Sequence, residues 1–185
     1  IDGDLTIGDG VGDDTVVFNA EIDSHFIPDD DNTYDVGSVS KKWRNGYFDQ
    51  VNAKLRHVNT AKYSETSAAQ RYVRWNAAGG DASAGVNNKF IAPSQGTLSY
   101  VVIRATNASG ITDISFHKAS DGTGNLNSTP TETQTVNMSA ANTSYLAQFS
   151  SSSFNAGEIL GISLTPTTGF GNVDITVVWI FDWNS

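Results

Sequence analysis

The sequence predicts an all-β protein: an elongated, intertwined β module at the N-terminus, a neck, and a jelly-roll β-sandwich at the C-terminus. Three observations predict it. Charged residues make up only 17% of the 185, and Ser, Thr, Asn and Gly fill much of the remainder, unlike the Ala-, Glu-, Lys- and Leu-rich composition of helical proteins. Apolar residues recur at period two in short runs. Clusters of Gly, Pro, Asn and Asp punctuate those runs at short intervals, as turns between strands require.

The totals exclude several classes. There is no cysteine, so neither disulfides nor thiolate metal sites hold the fold. No apolar run approaches the ~18 residues of a membrane helix, and membrane insertion is not expected. The chain opens on Ile1 rather than Met and without a signal-peptide pattern, which reads as a piece of a longer protein. The net charge is −9, unevenly spread. Residues 1–35 carry eleven acids and no Lys or Arg; residues 41–89 carry nine of the eleven basic residues against three acids. Without a broad basic surface to release counterions, nucleic acid is not an expected partner. The basic middle suits acidic patches of its own chain or of a neighbouring one.

The first domain is expected over residues 1–50. Leu5 and Ile7, then Val16, Phe18, Ala20 and Ile22, alternate on one parity around the turn GDGVGDD. Pro28 stops a strand or holds it at an edge, because it lacks the backbone donor. Asp29–Asn32 suit an Asx-type turn, and Thr33–Val36 a short strand ended by Gly37. Ser38 or Ser40 can cap a single helical turn through Trp43, with Gly46 to end it. Tyr47, Phe48 and Val51 resume an extended segment. These apolar residues form thin lines, and about fifty residues of such sequence cannot bury a core alone. Several identical chains wrapped together can, so the module predicts an oligomer with Trp43 in the subunit interface.

Residues 51–69 form the expected neck. Leu55, Val58 and Ala61 are the best apolar series there, too sparse for a robust coiled coil. The third domain, 70–185, contains candidate strands at 71–76, 89–92, 97–105, 111–118, 133–138, 145–149, 159–164 and 173–183. Turn signals such as AAGGDASAG, PSQG, TNASG and SDGTGN separate them, and eight such strands imply a two-sheet sandwich of jelly-roll type. In the last strand Val173, Ile175, Val177, Trp179 and Phe181 make a core face, while the opposite parity is apolar in its middle, at Val178 and Ile180. Tyr100 to Ile103 likewise span both faces. A strand apolar on both sides needs a second burial partner, which places Val101, Ile103, Val178 and Ile180 in a subunit interface.

Candidate chemistry is sparse. Asp29, Asp31, Thr33 and Asp35 alternate, and Asp9, Asp13 and Asp14 cluster, but the glycine and closing glutamate of an EF-hand calcium loop are missing. Paired carboxylates in thin turns have no wall to raise one pKa, as a glycosidase acid needs. His25, His57 and His117 are too widely spaced for a ligand cluster within one chain, although copies of one could meet on an oligomer axis. No serine lies in a nucleophile elbow. Trp75 and Trp179 fall on apolar parities and are expected in the core, whereas Phe170, in the loop TTGFGN, is expected to be exposed. No catalytic residue, metal ligand or cofactor is assigned, and the chain is not expected to be an enzyme.

The segment GDLTIGDGVGDDTVVFNAEIDSHFIPDDDNTYDVGSVSKKWRNGYFD, above all Asn32-Thr33-Tyr34-Asp35-Val36-Gly37-Ser38 and Lys42-Trp43-Arg44-Asn45, resembles modules of bacteriophage tail-fibre and related virion structural proteins, especially cyanophage-like ones. The span from RYVRWNAAGGDASAG to VDITVVWIFDW resembles the C-terminal knobs of the same proteins. The resemblance implies a homotrimer on the virion, joined to other virion proteins, whose knob contacts a host surface glycan or protein. Asn125, Asn127, Phe170 and Asn172, in two polar loops, are the expected receptor-facing residues. A capsid decoration or head-fibre protein is the alternative, and a polysaccharide depolymerase the third reading.

Overall fold

The computed structural model describes Asn19, His25, Ile27, Pro28, Asp30 and residues 33–48, 54–75, 79–85, 87–120 and 122–183, the Tyr63 side chain excepted. The expected alternating strands from Leu5 to Ile22 lie outside those residues, as do Asp9, Asp13, Asp14, Asp29 and Asp31. The chain divides into two compact units, Ile1–Asp49 and Gln50–Ser185.

In the first unit a closed loop takes the place of the expected helical turn. The Ser38 amide donates to the Lys41 carbonyl at 2.8 Å, and the Lys41 amide donates back to Ser38 Oγ at 3.0 Å. Turned onto Ser38, that carbonyl is lost to the forward i→i+4 bond that a helix needs. Gly37 enters the loop at φ +92°, where a Cβ would also stand 3.0 Å from the Lys41 carbonyl oxygen. Residues 33–36 are turn and irregular backbone rather than a strand. Trp43 is 73% exposed, and Tyr34, Val36, Val39, Tyr47 and Phe48 are exposed with it.

The second unit is all-β, with no helix among its described residues. Its strands are β1 (Lys54–Glu65), β2 (Arg71–Val73), β3 (Gly80–Asp81), β4 (Phe90–Ile91), β5 (Gly96–Ala105) and β6 (Gly110–Ala119). The rest are β7 (Glu132–Met138), β8 (Ser144–Gln148), β9 (Ser153–Phe154), β10 (Ile159–Pro166) and β11 (Gly171–Asp182). One sheet runs β1-β11-β5-β8, with β9 also on β5; the other runs β3-β2-β10-β6-β7, with β4 also on β10. Every pairing is antiparallel.

The expected neck is corrected: residues 54–65 are the first strand of the sandwich, paired along their whole length with β11, from Lys54 opposite Asp182 to Glu65 opposite Gly171. Its inward parity is Leu55, His57, Asn59 and Ala61, and the polar pair in the middle hides the period-two signal that apolar residues would have given.

The core lies between the two sheets. Val173, Ile175, Val177, Trp179 and Phe181 all point into it from β11, as the alternation predicts. Trp179 sits at its centre, edge-on to Phe90 at 5.2 Å, Phe116 and Phe154 at 5.9 Å each, and Trp75 at 6.4 Å. Edge-to-face contacts at such distances add to the burial of each ring. Opposite it, the pairing of β5 with β11 skips one residue: Tyr100 faces Val178 but Leu98 faces Trp179, leaving Ser99 as a bulge. The bulge restores parity, so Leu98 and Val101 both point inward.

That register corrects the interface assignment for two residues. Val101 and Ile103 are fully buried in the inter-sheet core of their own chain, where no second copy reaches them. The residues that β5 turns outward are Tyr100 and Val102, with Thr97 and Arg104 beyond them.

Because Trp179 touches aromatic rings from both sheets, Trp179→Ala should lower the unfolding free energy of the second unit by about 3–5 kcal/mol. Urea denaturation of wild type and variant measures it. A loss under about 1 kcal/mol would mean that the aromatic cluster is not the centre of the core.

Candidate functional site

Two surfaces of the second unit can act on something beyond the fold, and a buried network is the third feature weighed with them. The first is the outer face of the β1-β11-β5-β8 sheet. In register, Val58, Val178, Tyr100 and Gln148 form one row across it, and Thr60, Thr176, Val102 and Leu146 the next. Ile180 lies beside Val178 on the same parity. Val178 is only 3% exposed although it points away from the core, because its neighbours on this face close over it; Val58 and Leu146 remain 54% and 51% exposed. Charged pairs mark the two ends of the stripe: Lys62–Asp174 at 3.2 Å and Lys54–Asp182 at 3.9 Å. Of the interface residues expected from sequence, the structure therefore brings Val178 and Ile180 together here, and Trp43 lies in the first unit.

The second feature is a groove of about 530 Å³ at the open edge of the sandwich, where β1 of one sheet faces β4 of the other. Leu55, His57 and Asn59 line it from β1, and Phe90, Ile91 and Pro93 from the opposite side. Trp75, Phe181 and Trp183 complete its aromatic wall, with Arg56 at the rim. His57 packs edge-on to Phe181 at 5.8 Å, and Phe181 leans on Trp183 at 6.3 Å. Asn59 Oδ1 and Trp75 Nε1 are both buried without a hydrogen-bond partner. Trp75, expected in the core, packs half-buried against it with one side on this groove.

The third is a closed polar network. His117 is fully buried, its Nδ1 2.9 Å from the Asn127 carbonyl and its Nε2 2.8 Å from Ser163 Oγ. Nδ1–H donates to the carbonyl, so Nε2 accepts from the Ser163 hydroxyl, which in turn accepts from Gln70 Nε2 at 2.9 Å. Burial, only partly offset by the bond to Asn127, holds the His117 pKa below its ordinary value. Ser163 is equally buried, so this hydroxyl–imidazole pair ties the loop after β6 to the core rather than presenting a nucleophile.

The expected receptor-facing residues do not form one surface. Lys118 of β6 lies beside Leu160 and Thr112 beside Pro166 in β10, so the loop after β6 and the loop after β10 leave opposite ends of the sandwich. Asn125 and Asn127 are exposed in the former, with Asn125 Oδ1 accepting from Lys89 Nζ at 3.3 Å. Asn172 is exposed at the other end, where its carbonyl accepts from the Thr106 amide at 2.9 Å. Phe170 is corrected: it is a fully buried core residue. The chain passes so close to Thr66 that a Cβ on Gly169 would stand 2.3 Å from the Thr66 carbonyl oxygen, and the next side chain is turned into the sandwich.

Among the described residues, no three His, Cys, Asp or Glu side chains gather as a metal site. Their carboxylates act as ties. Arg74 donates to Asp81, which also accepts from Asn88 Nδ2 at 3.1 Å. Burial raises the Glu132 pKa, but the amides of Ser150 and Ser151 and the Gln134 side chain outweigh it and hold that carboxyl below its usual range. No family model matches the chain, and the search of curated proteins returns no match.

These shifts give two windows of acid sensitivity. His117 is held below 6.5, so the unfolded chain takes up that proton first. Its contribution to stability is complete above about pH 6.5 and is lost as the pH falls from there toward the folded value. Glu65, held down first by the Ser67 amide, Asp81, held down first by Arg74, and Glu132 contribute above their ordinary values of 4.5, 3.8 and 4.5. That stability is lost as the pH falls through their lowered values. Urea denaturation at stepped pH should therefore show a decline beginning near pH 6.5 that His117→Gln abolishes, and a separate, more acidic decline that it leaves in place. An unchanged first decline in the variant would assign it to another group.

Proposed function

We propose that this chain is a subunit of a homotrimeric virion fibre, ending in a jelly-roll knob that contacts the host cell surface. The observation that carries the reading is the outer face of the β1-β11-β5-β8 sheet. There Val58, Tyr100, Val102, Leu146 and Ile180 surround the nearly buried Val178, with Thr60, Thr176, Gln148 and Arg56 among them and ion pairs at the two ends, an apolar middle with a polar rim such as subunit contacts have. The exposed aromatic residues of the first unit, Trp43 among them, support the same reading, since large apolar groups grouped at a surface mark contact sites.

Strand order supports the jelly-roll assignment. With the two-residue strands β3, β4 and β9 set aside, the remaining eight in chain order are A to H. The sheets then run A-H-C-F and B-G-D-E, the pairing of two interlocked Greek keys. The virion setting rests on the resemblance of the Gly3–Asp49 module and of the C-terminal domain to phage fibre proteins. In that adhesive role three copies on one knob, and several knobs on one particle, raise avidity by about 10²–10⁴ over a single weak contact.

Light scattering on the purified chain should give about three times 19.7 kDa. Ile180→Asp places a charge in the proposed contact at a half-exposed position, with Arg56 directly opposite it on β1, so the fold survives while the trimer dissociates, since burying those charges against an apolar partner face costs several kcal/mol of desolvation. A folded monomeric wild type, or a variant that stays trimeric, removes this interface. In adsorption assays the wild-type trimer should slow attachment of the parent virus to its host, and the Ile180→Asp chain should do so far less. Adsorption untouched by the trimer would overturn the adhesive role.

A further inference from the structure

We propose that the groove between β1 and β4 binds a neutral saccharide, one sugar ring stacking on the Trp183 indole and its hydroxyls bonding Asn59 and Trp75 Nε1. The groove's volume, about 530 Å³, lies within the range of small-molecule sites, and its wall is largely aromatic. Trp183 is 44% exposed and packs on Phe181 at 6.3 Å, which leaves indole surface open to an occupant.

The polar atoms select the occupant. Trp75 Nε1 is only a donor and Asn59 Oδ1 only an acceptor, and each is buried without a partner. A buried group left unbonded costs free energy, so an occupant that satisfies both is favoured over one that satisfies neither. A purely apolar occupant, such as an acyl chain or an aliphatic side chain, leaves both atoms unbonded. An ammonium group offers Trp75 no acceptor, and a carboxylate offers Asn59 Oδ1 no donor. A hydroxyl is donor and acceptor at once and can serve either atom or both. Both atoms are closed off from the groove at rest, so a small rotation of the Asn59 amide and of the Trp75 indole, each in a residue that is itself only half-buried, opens them to the occupant. A compound with hydroxyls on its edge and a C–H face for an aromatic ring is a sugar. His57, exposed at the same wall, offers a further ring nitrogen.

The inference depends on the adhesive reading only for the source of the sugar, a host surface; the chemistry of the groove is independent of the trimer. The chain contains four tryptophans, Trp43, Trp75, Trp179 and Trp183, whose indole N–H resonances report separate places. Titrating the ¹⁵N-labelled full chain with lactose, maltose, cellobiose and N,N′-diacetylchitobiose should shift the Trp75 and Trp183 signals saturably with at least one of them, leaving Trp43 and Trp179 in place. Trp183→Ala and Asn59→Ala change partly exposed side chains and keep the remaining spectrum, and each should weaken that binding by about tenfold or more. Three results overturn the proposal: none of the four sugars moves Trp75 or Trp183; the shifts persist at wild-type affinity in Trp183→Ala; or the apolar dye ANS saturates the groove and no sugar displaces it. Light scattering on the same samples separates the two conclusions, since a monomer that binds sugar in the groove defeats the fibre reading alone.

Discussion

The second unit depends on the two-sided pairing of β11. This strand pairs with β1 through all twelve of its residues and with β5 on its other edge from Val173 to Phe181. A central strand cannot choose its faces independently, because every residue added to one face moves the next onto the other. Once Trp179 is committed to the core, Val178 and Ile180 must point outward. The single bulge at Ser99 then brings Leu98 and Val101 onto the core side together. The two-faced character of the strand, the depth of its aromatic core and the stripe on its outer face are consequences of one register.

The polar residues that matter to the fold hold its edges and loops. Glu132 of β7 captures the Ser150 and Ser151 amides, tying the end of one sheet to the connection that follows β8 in the other. Arg71 and Glu65 join the first turn of the sandwich, and Arg74, Asp81 and Asn88 fasten the irregular segment around β3. His117 does the same for the loop after β6 from inside the core. With no disulfide available, these bonds close the places where strand pairing stops.

The outer stripe and the edge groove are different kinds of surface. The stripe is an open row on a sheet face, with the ion pairs Lys62–Asp174 and Lys54–Asp182 at its two ends, which suits another protein surface. The groove is concave and aromatic, and two of its lining residues, Asn59 and Trp75, each keep a buried polar atom without a partner, which suits a small polar molecule. They draw on the same strand, β1, which offers Val58 to the stripe and His57 and Asn59 to the groove.

The sequence by itself determined the all-β class, the places of most strands from 71 onward, the turns between them and the core face of β11. These are local properties, since alternation and turn chemistry are written in consecutive residues. It also made plain that Val178 and Ile180 lie on the second apolar face. Only the tertiary structure decided that residues 54–65 are a strand, because a polar His57 and Asn59 are acceptable inward only where the sandwich edge opens into a groove. It decided that Val101, Ile103 and Phe170 are inside, through a bulge and a close backbone approach that no periodicity records. In the first unit it replaced a helical turn with a closed loop, because Lys41 bonds backward to Ser38 instead of forward. Alternation says that a side chain will be covered; which neighbour covers it is set by strand pairing between residues far apart in the chain.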